Sequence, residues 1–296
     1  MEAALKAARA QANKNGRRRH RIIALENGFH GRTAGSLALT AKAEYREPFL
    51  PLVPGVVFVP ANDVAALHAA ANEDLIAIVA ETIQGEGGIH PLSHEFLTAI
   101  RTLATERNAL WIADETQCGL GRTGERFAYR EFGLPDAVVT AKPLAAGLPL
   151  GATIFTEAVC EAISQGMHGA TFGGGPLACR VALAFLDEVD QLLPAIRQNG
   201  AYLHEQLRQL QAQRSTIRDV RGRGLMAGIE LTKNGEPFVA KALAAGLVIN
   251  CTHGNVLRLL PPYIAGPPEI DQAVDILRRI LPTSPCLLYT SPSPRD

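Results

Sequence analysis

The chain has 296 residues, of which 47% are apolar and 20% are charged, and its formal net charge is zero. A chain of this length can bury a large core and should divide into two lobes. The balanced charge argues against binding to nucleic acid or to an acidic membrane, and no apolar run is long enough to cross a bilayer. Five cysteines without a CxxC pair favour a reducing compartment, which predicts the cytoplasm.

Helix-like and strand-like patterns alternate along the first 175 residues. The alanine-rich residues 2–14 have helical spacing, and two further helices are predicted at 63–71 and 93–107. Short apolar runs predict strands at 21–26, 56–60, 75–80, 109–113, 137–141 and 151–156. This alternation is typical of an α/β fold with a mostly parallel central sheet flanked by helices.

The pattern changes after residue 176. A long helix is predicted at 177–210, because apolar residues recur at intervals of three and four. A strand pair at 220–231, a helix at 238–245, two short strands within 246–262 and an amphipathic helix at 268–280 follow. We therefore expect a smaller C-terminal α+β domain.

Two of the predicted strands end in charged residues. Asp114 follows Ala109–Ala113, and Lys142 follows Ala137–Ala141. Open α/β sheets bind ligands at the carboxyl ends of their strands, so both residues are expected to face one pocket. An apolar environment favours the neutral amine that forms a Schiff base, and an aspartate can hold a pyridine nitrogen protonated; pyridoxal phosphate needs both. Taken alone, the same pattern equally fits a turn-capping aspartate and a surface lysine.

The sequence motifs around these two residues favour a pyridoxal phosphate site. The segments DETQCGLGRTG and AKPLAAGLPLGA resemble the class III pyridoxal-phosphate-dependent aminotransferases, which have fold type I. Within that class, FHGRT together with GLVIN and VLRLLPP is most similar to the acetylornithine aminotransferases of arginine biosynthesis. The resemblance implies transfer of the terminal amino group of N-acetylornithine to 2-oxoglutarate. Ornithine and a 2-aminoadipate derivative of lysine biosynthesis stay open as amino donors.

The resemblance also implies which residues hold the cofactor. Lys142 would form the Schiff base and move the proton, and Asp114 would pair with the ring nitrogen. Phe29 would stack on the pyridine ring, and Gln117 would contact its phenolic oxygen. Thr171 would reach the phosphate of the neighbouring subunit, so that a homodimer is expected.

A second set of residues is implied for the substrate. Arg32 would bind the substrate carboxylate, because a guanidinium group matches a carboxylate with two hydrogen bonds. Glu86 and Arg258 would pair as a gate that opens when the arginine must bind the second carboxylate of 2-oxoglutarate. Ala170 stands where the class usually has Ser or Thr, and Gly175 stands where it usually has Asn. We expect the first change to weaken substrate or phosphate binding.

Other motifs give weaker indications. Gly119–Gly124 is a literal GxGxxG, which would favour a nicotinamide dehydrogenase, but no helical pattern follows it. His90 and His94 stand four apart with Pro91 between them and no third ligand nearby, so no metal site is predicted.

The predicted domains are 1–175, which binds the cofactor, and 176–282, which is smaller. The last stretch, 283–296, has no periodicity and does not resemble the class, so it is expected to be a non-native tail. Relatives carry a phosphate-binding loop ahead of the first helix, so the chain is expected to be truncated at its amino end. An inactive fragment is therefore the alternative to an active transaminase.

Overall fold

The computed structural model describes residues 1–14 and 20–283. Of the predicted tail, only Thr283 lies within this range. The strands are β1 (Arg21–Leu25), β2 (Val56–Val59), β3 (Leu75–Ala80), β4 (Ile83–Gln84), β5 (His90–Pro91), β6 (Leu110–Asp114), β7 (Ala137–Thr140), β8 (Ala152–Phe155), β9 (Ile217–Arg223), β10 (Met226–Leu231), β11 (Asn250–Thr252) and β12 (Val256–Leu259).

The helices agree closely with the sequence patterns. They are α1 (Glu2–Lys14), α2 (Ala34–Ala38), α3 (Ala43–Arg46), α4 (Val64–Ala70), α5 (His94–Glu106), α6 (Glu157–Cys160), α7 (Pro176–Ala212), α8 (Glu236–Ala244) and α9 (Pro267–Ile280), with 3₁₀ helices at Glu47–Phe49, Ala128–Glu131 and Lys142–Ala145. The start of α5 shows the local chemistry: the Ser93 hydroxyl accepts a hydrogen bond from Phe96 N at 3.1 Å, a cap that contributes about 1 kcal/mol.

A six-stranded sheet organises the first part of the chain. Its order is β2-β1-β3-β6-β7-β8, and all neighbours are parallel except β7 and β8. Strand β6 shows how both faces are covered: Trp111 and Ala113 face one core together with α5, whereas Leu110 and Ile112 face another together with α1. Because both faces of the central strands β1, β3, β6 and β7 are covered, their sequences are mainly apolar, which is why they predicted a parallel sheet.

A second, antiparallel sheet follows α7. Its order is β11-β12-β10-β9, and a separate core packs it against α7, α8 and α9. The expectation of an α/β fold with a mostly parallel central sheet is confirmed. Among residues 1–14 and 20–283, no helix combines the length and the apolar character that crossing a membrane requires.

Candidate active site

Three buried polar side chains lie where β1, β3 and β6 end. His30 comes five residues after β1, Glu81 directly follows β3, and Asp114 is the last residue of β6. His30 Nδ1 and Asp114 Oδ2 are 2.8 Å apart, and Thr116 N donates to Asp114 Oδ1 at 3.1 Å. Because the three strands are adjacent and parallel, these groups form the floor of one crevice. We call His30, Glu81 and Asp114 the floor.

The floor holds a buried ion pair. Burial opposes ionisation of Asp114, but the hydrogen bond and charge of His30 and the contacts with Thr116 hold the pKa of Asp114 below its usual value. Burial also disfavours the charged imidazole, yet the Asp114 carboxylate raises the pKa of His30. Each group thus keeps the other charged. His30 Nε2 is buried and has no hydrogen-bond partner among the described residues.

Lys142 leaves the sheet one strand away from Asp114. Asp114 is in register with Val139 of β7, so Lys142 lies three residues further along. Its φ is 38°, which is a left-handed conformation that costs a non-glycine residue about 1–3 kcal/mol and is concentrated at functional sites. Lys142 is exposed at the mouth of its turn. Nevertheless, desolvation by the surrounding protein lowers its pKa, and the charges of Glu86, Arg258 and Asp114 also act on it.

Glu86 and Arg258 form an ion pair. Arg258 Nη1 is 2.7 Å from Glu86 Oε1, and the same nitrogen donates to Gly85 O at 3.2 Å and to Gln117 Oε1 at 3.1 Å. Asn250 Oδ1 accepts from Arg258 Nε at 3.1 Å. Burial opposes ionisation of Glu86, but Arg258 lowers the pKa of Glu86 below its usual value. We call the Glu86–Arg258 pair the gate, because it joins a loop of the first sheet to β12 of the second.

A cavity of about 1120 Å³ lies against the gate. The cavity is lined by Phe29, Arg32 and Glu86 from the loops that follow β1 and β4, and by Thr252 and His253 from the end of β11. The Arg32 guanidinium lies 3.7 Å above the centre of the Tyr45 ring. A second cavity of about 870 Å³ is lined by His30, Arg32 and Ala170 among others, so Arg32 borders both cavities.

Residues 1–281 match the family described as aminotransferase class-III. The chain belongs to that family. Class-III aminotransferases depend on pyridoxal phosphate. In this class-III chain the charges of the gate and of Glu81 and Asp114 all act on Lys142.

Acetylornithine aminotransferases are among the most similar relatives of this class-III chain. The enzyme of that name from Aquifex aeolicus is 44% identical over 282 residues, which is 95% of this chain and 74% of the relative. The one from Methanocaldococcus jannaschii is 43% identical over 283 residues, which is 94% of this chain and 71% of the relative.

Solved class-III structures have the same fold. Ornithine aminotransferase from Toxoplasma gondii superposes with a TM-score of 0.89 at 30% identity, covering 94% of this chain and 69% of that one. N-acetylornithine aminotransferase from Stenotrophomonas maltophilia gives 0.80 at 30% identity, covering 94% and 71%. A PLP-bound amine transaminase from an uncultivated Pseudomonas species gives 0.88 at 30% identity, covering 95% and 73%.

Of the residues implied by the class-III resemblance near α7, Ala170 borders a cavity that Arg32 also lines, and Thr171 does not. Ala170 and Thr171 belong to an exposed turn ahead of α7, and Gly175 precedes that helix. Ala170 borders the second cavity, whereas Thr171 faces solvent.

The GxGxxG motif forms turns in this class-III chain, which does not fit a dinucleotide site. Gly121 has a φ of 94°, and a Cβ there would lie 2.6 Å from Val189 of α7. The segment continues to the 3₁₀ helix Ala128–Glu131, so the glycines open no helix of a βαβ unit. Gly121 therefore serves close packing against α7.

Sequence reasoning gave no role to two of the floor residues. The pairing of His30 with Asp114 spans 84 residues of sequence and leaves no local pattern. Glu81 directly follows the apolar run LIAIVA, which is the same signal that identified Asp114. That signal could have found Glu81.

Proposed function

We propose that this chain is a pyridoxal-phosphate-dependent aminotransferase that moves the terminal amino group of N-acetylornithine to 2-oxoglutarate. The observation that carries the proposal is Lys142, whose pKa is lowered by desolvation, next to the buried Asp114–His30 pair at one sheet edge. The relatives named acetylornithine aminotransferase, at up to 44% identity, support this amino donor.

The described residues fit pyridoxal phosphate. The carboxylate of Asp114 stays ionised in a buried place, as a partner for a protonated ring nitrogen must. Phe29 is half-buried at the edge of the larger cavity, where its flat ring can cover another. That cavity, of about 1120 Å³, is larger than the usual small-molecule site of about 300–1,000 Å³; Phe29, Arg32 and Glu86 line it, whereas Lys142 and Asp114 are not among its lining residues. Gln117 would contact the phenolic oxygen.

The chemical role of each residue follows from its charge. Pyridoxal phosphate, when bound, supplies an aldehyde that accepts an amino group and a ring that withdraws electrons from the reacting carbon. Lys142 Nζ removes the proton from the amino-bearing carbon of the substrate and later returns a proton, for which its lowered pKa is suited. Asp114 would hold positive charge on the ring nitrogen, and His30 keeps Asp114 ionised and oriented.

The two substrates are distinguished at the gate. Arg32 binds the carboxylate that both substrates carry next to the reacting carbon. While the amino donor is bound, Glu86 neutralises Arg258, so no free cation faces the neutral acetylated end. When 2-oxoglutarate enters, Arg258 leaves Glu86 and binds the second carboxylate. Glu86 is partly exposed and can be solvated when buried Arg258 turns to the second carboxylate.

A homodimer belongs to the proposal. Phe172 is 93% exposed and Leu177 is 71% exposed, although large apolar side chains usually avoid water. Phe172 directly follows Thr171 in the same turn, and Leu177 lies in the first turn of α7; Thr171 would reach the phosphate bound by the partner subunit. Ala170 would leave one contact unmade there. We also place the boundary between the cofactor domain, 1–175, and the smaller domain, 176–282, at the start of α7.

Two measurements test the proposal. Borohydride reduction of the protein with pyridoxal phosphate should attach the cofactor to a peptide that contains Lys142, and a labelled peptide without Lys142 would refute the assignment. Turnover of N-acetylornithine and 2-oxoglutarate should then produce glutamate.

Ornithine is the second candidate donor, because the Toxoplasma gondii ornithine aminotransferase superposes with a TM-score of 0.89. A kcat/KM for ornithine above that for N-acetylornithine would favour it.

A further inference from the structure

Glu81 contacts two loops of the site at once. It directly follows β3, which lies between β1 and β6 in the sheet, and its side chain is buried. One carboxylate oxygen, Oε1, accepts a hydrogen bond from Phe29 N at 3.0 Å. The other, Oε2, accepts one from Gly85 N at 2.9 Å.

The two loops that Glu81 contacts carry the residues proposed to hold the ring and to close the gate. Phe29 is itself one donor, and Glu86 is the residue after the other donor, Gly85. The loops also touch each other: Gln84 Nε2 donates to Glu26 O at 2.7 Å. At Gly87 an added Cβ would lie only 2.5 Å from Asn27 O. A change in either loop is therefore transmitted to the other.

A buried carboxyl is unfavourable unless something offsets its desolvation. Burial raises the pKa of Glu81 to about 7; the charge of Asp114 raises it as well, while His30 and the two backbone N–H groups lower it. An apolar side chain of similar size would avoid this cost, but it would leave the N–H groups of Phe29 and Gly85 unpaired. Only a side chain with two acceptor oxygens, one for each loop, satisfies both amides, and this explains why a carboxyl group occupies the buried position.

We propose that Glu81 is a positioning residue that sets the Phe29 backbone and the Glu86 loop at a fixed separation across the crevice. The role rests on the proposed function, because it gives Phe29 and Glu86 their meaning. Glu81 acts through these two loops and touches neither substrate nor cofactor.

We call the two hydrogen bonds from Phe29 N and Gly85 N to Glu81 the bridge. Two substitutions change the bridge to different degrees. In Glu81→Gln, only the carbonyl oxygen can accept, so one of the two amides loses its partner. In Glu81→Asp, both oxygens remain, but the side chain is one methylene shorter. Asp136→Asn is the matched control: Asp136 Oδ2 accepts from Trp111 N at 2.8 Å and from Arg101 Nη1, and it lies at the amino end of β7, the opposite edge of the sheet.

The first readout needs no cofactor. Hydrogen exchange of the apoprotein should become at least about 10-fold faster at the amides of 28–30 and 84–87 in Glu81→Gln, while the amides of β6 keep their protection. Asp136→Asn should leave both loops unchanged. Unaltered exchange in the two loops of Glu81→Gln would overturn the proposal. If Glu81→Gln does not fold, Glu81→Asp carries the same test with a smaller acceleration.

The second readout connects the bridge to the site. Glu81→Gln should raise the dissociation constant of pyridoxal phosphate about 10-fold and change the ratio of the KM values for 2-oxoglutarate and the amino donor at least about threefold. Asp136→Asn should lower only the melting temperature. Equal cofactor affinity and an equal KM ratio in wild type and Glu81→Gln would refute the positioning role alone. A wild-type chain that does not bind pyridoxal phosphate would instead refute the proposed function.

Discussion

The floor and the gate hold charge in opposite ways. His30 and Asp114 are buried. His30 follows β1 and Asp114 ends β6, and these two parallel strands belong to the same sheet, which fixes where both side chains lie. Arg258 comes from the second sheet, and Glu86 has a side chain that is 39% exposed. A buried pair loses several kcal/mol if one partner is removed. Arg258 is buried too, so the gate differs from the floor in the exposure of Glu86. The floor is thus suited to hold a ring in place, and the gate is suited to open.

Replacing Lys142 should have the largest effect, because the amine lies between floor and gate and serves both. Lys142→Ala should lower kcat by about 10⁴-fold, at the upper end of the range for an essential proton-transfer group. The measurement is glutamate production from N-acetylornithine and 2-oxoglutarate. Lys241→Ala, which removes an exposed lysine of α8, is the control and should keep wild-type turnover. A Lys142→Ala variant as active as the control would show that the amine is elsewhere.

The floor should respond to loss of charge even when its shape is kept. Asp114→Asn removes the negative charge that keeps His30 protonated and that would hold the ring nitrogen cationic. We expect kcat to fall about 100-fold with little change in either KM, as for other removals of a preorganised electrostatic partner. His30→Asn keeps an N–H donor near Nδ1 and should lose less activity than His30→Ala. Equal losses in the two His30 variants would contradict the orienting role.

The gate should respond in KM, with kcat changed little. Arg258→Met should raise the KM for 2-oxoglutarate about 10-fold, because one charge-assisted carboxylate contact is lost. Glu86→Ala should lower that KM and raise the KM for the amino donor, because Arg258 becomes permanently free. Glu131→Ala breaks the exposed pair between Glu131 and Arg223 of β9 and is the control, since it should change neither KM. Parallel changes in both KM values would show that the pair is merely structural.

The contrast between the floor and the gate also explains how much of the site could be predicted from the sequence. Asp114 and Lys142 were found because each follows a buried strand, and a buried strand has a strong local signal. The α/β fold and the class-III family followed from the same segments and are confirmed. Arg258 has no such signal, since VLRLLPP reads as an ordinary strand, and only the resemblance assigned it to Glu86. His30 was missed because its partner is 84 residues away.

The smallest predicted effect concerns another carboxylate next to the floor. Glu115 is buried, and it accepts hydrogen bonds from Ala128 N and Tyr129 N at 2.9 Å and from the Thr82 hydroxyl at 3.1 Å. Burial raises the pKa of Glu115 from 4.5 to about 6, although these hydrogen bonds lower it. The folded protein therefore retains a proton that the unfolded chain has already lost as the pH rises above 4.5.

This shift gives a stability contribution that is present below pH 4.5 and lost as the pH rises through about 6. A shift of this size corresponds to about 2 kcal/mol of unfolding free energy. Between pH 4 and pH 7 the unfolding free energy of Glu115→Gln should therefore fall by about 2 kcal/mol less than that of the wild type, as measured by urea unfolding of the apoprotein. The exposed Glu47→Gln variant should follow the wild-type curve. If the Glu115→Gln curve also parallels the wild-type curve, burial next to Asp114 does not by itself shift the pKa of a carboxyl group. The pH dependence of the unfolding free energy would then come from Glu81 and His30 of the floor.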